Sequence, residues 1–126
     1  MLFSSLIIHP VFAQDDQIFF GTSQDRRVAG CGVRITGSEV AQIEPILEAQ
    51  ADLDGSVVLD VIKQSASGSS QSRQATQFHA GRLGRVRVSI DRPAQATIAM
   101  TVIDRSGKTL CEMRKAIRLE RFPTKI

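Results

Sequence analysis

Two cysteines, two histidines and a scatter of arginines are the residues of this sequence best suited to chemistry. His9 falls in an N-terminal stretch with the character of a leader, which leaves His79 as the lone imidazole of the mature chain. A zinc site recruits several His or Cys ligands, and a Ser-His-Asp triad needs a base with an orienting acid. His79 fits neither and reads as a half-buried strand residue. The sequence contains no GxGxxG and no GxxxxGK(S/T), so the common phosphate-cradling loops are absent too. This inventory argues against an enzyme, and no cofactor or metal is expected.

Cys31 and Cys111 sit in alternating, strand-like stretches far apart in the chain. In an oxidising compartment such a pair forms a disulfide that staples the first strand to the last. Two buried free thiols are the alternative, since cysteine is among the most buried residue types. The compartment favours the bridge. The opening MLFSSLIIHPVFA is apolar, and the first charges, Asp15 and Asp16, follow closely. It resembles a secretory signal peptide, with Val11 and Ala13 at the small-residue positions before a cut that leaves Gln14 first. A positive n-region is missing, and the stretch is too short to span a bilayer. The leader implies export to an oxidising compartment, with no membrane insertion once residues 1–13 are removed.

Composition bounds the elements that must position these groups. The 126 residues suffice for one domain with its own core. A net charge of +3 makes the chain mildly basic, but acids are interspersed and there is no Trp or Tyr to stack on bases. Nucleic acid is therefore not an expected partner.

From residue 30 onward apolar residues alternate in short runs, the signature of strands. Cys31, Val33 and Ile35 face inward along 31–36, and Leu47, Ala49 and Ala51 along 43–51, where Pro45 demands an edge or a kink. Helix is the alternative for 40–51, and Pro45 counts against a long one. Val57, Leu59 and Val61 make 56–64 the most apolar run and the expected central strand. Residues 65–71 read as a Ser/Gly-rich loop. Ala75 and Phe78 anchor 72–80, which is expected to form a hairpin with 85–90. In that second arm Val86, Val88 and Ile90 point in while Arg85, Arg87 and Ser89 point out. Strands at 96–104 and 109–119 flank the turn DRSGK. Asp60 on the central strand must be paired, at a rim, or facing solvent.

The pattern predicts an all-β fold, an immunoglobulin-like antiparallel β-sandwich of about seven strands over residues 30–120, with a barrel as the alternative closure. The Trp and disulfide arrangement of antibody domains is excluded, because there is no Trp and the cysteines lie at the two ends. Residues 14–29 form a tail or an extra edge segment, which would cover Phe19 and Phe20, and residues 121–126 form a C-terminal tail.

The stretch VVLDVIKQSASGSSQSRQATQF resembles the curli assembly inhibitors of the CsgC/CsgH family, in which a similar apolar strand runs into SGxSQ(S/T)(K/R)Q. Ser67, Gly68, Ser70, Gln71, Ser72, Arg73 and Gln74 fit that pattern. One branch of the family carries Cys-x-Cys at the start of this strand; here Leu53 and Gly55 stand there, so the CsgH-type branch is the better comparison. The resemblance implies a periplasmic, chaperone-like protein that keeps curli amyloid subunits, the major one and the minor, from assembling early. The expected state is a monomer. Edge strands of a small sandwich can occupy the unpaired edges of a nascent cross-β nucleus. A basic strand face, Arg73, Arg85 and Arg87 extended by Lys63 and Arg82, is the candidate client-binding surface. The competing expectation is an accessory subunit that acts by strand addition through Ile18, Phe19 and Phe20.

Overall fold

The computed structural model describes residues 17–121. The alternation of apolar and polar residues resolves into ten strands: β1 (Gln17–Phe20), β2 (Thr22–Ser23), β3 (Val28–Thr36), β4 (Val40–Ala49), β5 (Gly55–Ser65), β6 (Gly68–His79), β7 (Arg82–Leu83), β8 (Val88–Asp91), β9 (Ala94–Asp104) and β10 (Thr109–Leu119). They form two antiparallel sheets, ordered β1-β3-β4-β8 and β2-β10-β9-β5-β6-β7. Seven of these strands answer to the seven read from the sequence, and β1, β2 and β7 are short additions. The described residues contain no helix: Val40–Ala49 is strand β4 and Ala51 lies in the turn after it, and the two separate sheets make a sandwich rather than a barrel.

Burial follows the period of two. Val33, Ile35, Ala41 and Ile43 face the core from the smaller sheet. Val57, Leu59 and Val61 face it from β5, Ile98, Met100 and Val102 from β9, and Cys111, Met113 and Leu119 from β10, where a register shift between Thr109 and Cys111 buries Leu110 as well. Strand β5 is internal, between β9 and β6, as its composition requires. Phe78 is fully buried opposite Gly55, and a Cβ at Gly55 would run into its ring. That position stays side-chain-free so the aromatic can lie flat across the sheet. Pro45 sits on β4 beyond Ile43, where pairing with β8 has ended.

Cys31 and Cys111 form a disulfide between β3 and β10. Because β3 and β10 belong to different sheets, the bond crosses the core, although no Trp accompanies it. Residues 17–23 are an edge segment that changes sheets: β1 pairs with β3, and β2 pairs with β10. Gly21 lies at the crossing, where a Cβ would strike the backbone of Glu112. Phe19 packs on the core, but Phe20 stays 75% exposed.

Several expectations need correction. Residues 65–71 are not a loop: the turn is only Ala66 and Ser67, and β6 pairs with β5 from Gly68 onward. Pairing to an apolar central strand overrides the flexible composition. Residues 72–80 and 85–90 do not form a hairpin, because β8 pairs with β4 in the other sheet. The chain crosses between layers over 84–87, which lets Val88 and Ile90 reach the core from the opposite side. Ala51 and Ala75 are exposed, and His79 is exposed rather than half-buried. The leader assigned to 1–13 and most of the tail at 121–126 lie outside the described residues.

The disulfide closes a loop of sequence separation 80, for which chain entropy assigns about 4 kcal/mol. Urea unfolding of a Cys31→Ser, Cys111→Ser double variant should show a loss of that order; unchanged stability would contradict the account of the bridge.

Candidate functional site

The resemblance motif folds into the β5–β6 hairpin. Its two-residue turn is followed at once by Gly68 at φ +124°, a conformation that suits glycine alone. Residues 68, 70, 72, 74 and 76 share the inward parity of Phe78, and residues 69, 71, 73, 75 and 77 line the outer face. Asp60 meets its requirement there. Its carboxylate accepts from Gln71 Nε2 at 3.1 Å and from Arg73 Nη1 at 3.4 Å.

Where β6 and β8 face each other across the sandwich, the two sheets part into a cleft of about 160 Å³. Val61, Val88 and Ile90 give it apolar walls, while Lys63, Ser70, Ser72, Ser89 and Asp91 supply its polar lining. The five candidate cations do not share one strand face. Lys63 borders the cleft, Arg73 is on the outer face of β6, Arg82 is on β7, and Arg85 and Arg87 belong to the crossover. Two of them are tied to carboxylates: Arg73 to Asp60 at 3.4 Å and Arg87 to Glu44 at 3.4 Å. Arg73 does not neighbour Arg85 and Arg87 within a sheet, because their segments lead into different layers.

A second charged cluster holds the opposite flank together. Arg27 donates to Asp25 at 3.0 and 3.1 Å and to Asp104 at 3.0 Å, and Lys108 Nζ donates to Asp25 at 3.2 Å. Asp104 Oδ1 also caps the DRSGK turn, accepting from the Ser106 hydroxyl and from the N–H groups of Ser106 and Lys108. The Arg27 guanidinium holds the Asp25 carboxyl well below the usual carboxylate range. The Ser106 hydroxyl and Lys108 N–H do the same for Asp104, with Arg27 adding to it. This network ties the chain before β3 to the β9–β10 turn. His79 stands apart, with Nδ1 3.9 Å from Asp54. Among the described residues no group of three His, Cys, Asp or Glu side chains is placed to hold a metal ion.

Sequence reasoning missed a shallow apolar groove on the outer face of the smaller sheet, lined by Ile18, Phe20, Gly30, Ile46 and Leu47. Ile18 and Phe20 were visible as an apolar pair. Their meeting with Ile46 depends on the register β1–β3–β4, which places Phe20 opposite Gly32 and Gly32 opposite Ile46.

No family model and no curated protein matches the chain. Among solved structures, the solution structure of CsgH from R. palustris is similar, with a TM-score of 0.51 and 23% sequence identity over 71% of this chain and 91% of that one. The two share a fold.

Because the native carboxyls of Asp25 and Asp104 release protons more readily than those of the unfolded chain, they stabilise the fold above an ordinary carboxylate pKa near ~4, and this is lost as the pH falls. An Asp25→Asn, Asp104→Asn variant should be less stable than wild type at neutral pH and lose less on acidification. Parallel acid profiles for the two proteins would refute this role.

Proposed function

We propose that this protein is a periplasmic, chaperone-like inhibitor that prevents premature amyloid assembly of curli subunits by transient binding. One observation carries the reading: the motif that resembles the curli inhibitors forms a continuous hairpin at the open flank of a sandwich that shares its fold with CsgH. The disulfide agrees with an oxidising compartment. Lys63 at the cleft, with Arg82 and Arg85 farther along the same side of the sandwich, would steer acidic chains toward it and discourage basic ones. On this reading the protein binds and releases its clients and carries out no covalent step.

A second reading rests on the groove at Ile18, Phe20 and Ile46. Phe20 is 75% exposed on a short edge strand, a surface that would suit an accessory subunit joining an assembly by strand addition.

Amyloid formation of a purified curli major subunit, followed by dye fluorescence, separates the two. The mature protein at well below equimolar amounts should prolong the lag severalfold. Unchanged kinetics even at molar excess would overturn the inhibitor reading and favour the accessory subunit.

A further inference from the structure

The pairing of β6 is one-sided. It bonds β5 along its whole length, from Gly68 to Phe78, but meets β7 only at Phe78 and His79. Among the described residues no strand pairs with the remaining edge of β6. Ser65 and Gly68 flank a two-residue turn, and in such a hairpin the flanking pair exchanges backbone hydrogen bonds. Counting in twos from Gly68, the N–H and C=O groups of Ser69, Gln71, Arg73, Ala75 and Gln77 point away from β5, into the open flank.

Other long open edges in the molecule are blunted. Beyond Glu112, β10 is unpaired on one side, and it carries Arg114, Lys115 and Arg118 there. Beyond Ile43, β4 is unpaired toward β8, and it carries Glu44, Pro45 and Glu48. Charges and proline on an edge discourage further pairing. Strand β6 has neither proline nor a run of charge: its edge reads SSQSRQATQ, and the guanidinium of Arg73 is held back against Asp60 at 3.4 Å. The cleft walled by Val61, Val88 and Ile90 opens directly beside its inward-facing Ser70 and Ser72.

We infer that the free edge of β6 is the docking strand, and that its occupant is an extended, uncharged or acidic segment of an amyloid-forming subunit, rich in Gln, Asn, Ser and Gly. This rests on the inhibitor reading above and gives it a surface. Main-chain hydrogen bonds to the five outward-pointing residues supply the affinity. Amide and hydroxyl side chains of the occupant continue the Ser/Gln rows of β6, as such residues do in amyloid ladders. Its alternate, small or apolar side chains enter the cleft. A strand held there follows the twist of the sandwich, which is unlike the flat stacking of a fibril, so capture withdraws it from the nucleus.

Ala75→Pro tests the edge. Ala75 points its N–H outward, so proline there deletes a docking donor and leaves the β5 ladder intact. The variant, with wild-type melting and an intact disulfide, should need about tenfold more protein for the same lag, the weight of one backbone donor lost with its acceptor unmet. Should that variant misfold, Ser69→Glu with Gln77→Glu places negative charge on the same edge without touching the backbone, and the same loss is expected. Folded edge variants as potent as an active wild type would overturn the docking strand while leaving the inhibitor function in place. A wild type that never delays assembly would overturn the function and the docking strand together.

Discussion

The structure depends on two sheets that can hide their apolar faces only in each other. Val33, Ile35 and Ile43 on one side, and Leu59, Val61, Ile98 and Met100 on the other, form a single layer. Neither sheet has any other way to remove that surface from water, at about 25 cal/mol per Å². The Cys31–Cys111 bond lies within this layer and joins the first long strand to the last, so both ends of the domain are fixed to one core. With the inner faces committed to each other, the outer faces, the edges and the flanks are left for other roles.

The flanks divide that work unequally. On the β1–β10 side the polypeptide crosses between sheets at Gly21, and Arg27, Asp25, Asp104 and Lys108 lock the crossing to the neighbouring turn. On the β6–β8 side the crossover spans 84–87 and pairs with neither sheet, and a cleft lies between β5 and β6 on one layer and β8 on the other. One flank is closed by ion pairs, and the other is left open.

Much of this was legible in the residues. Period-two alternation located seven of the strands, the β9–β10 turn and the internal place of β5, because burying one face of a sheet imposes that period on the sequence. The cysteine pair was legible from compartment and separation. Which strand lies beside which was not. Residues 85–90 alternate equally well as a partner for β6 or for β4, since the pattern shows that a face is buried and not which sheet buries it. That ambiguity put Arg73, Arg85 and Arg87 on a single basic face, although β6 and β8 lie in different sheets. The Ser/Gly-rich run after Ser65 misled for a related reason: its composition describes a free chain, and pairing to β5 decides its structure. The open edge of β6 is a property of neighbours that end early, which local sequence does not record.

The most direct measurement is amide hydrogen exchange along β6, with and without the monomeric curli major subunit. Docking at this edge predicts that the outward-pointing amides of Ser69, Gln71, Arg73, Ala75 and Gln77 become protected, while the alternate amides, already bonded to β5, change little. Protection confined to the groove around Phe20, or exchange along β6 that the subunit leaves unaltered, would contradict it.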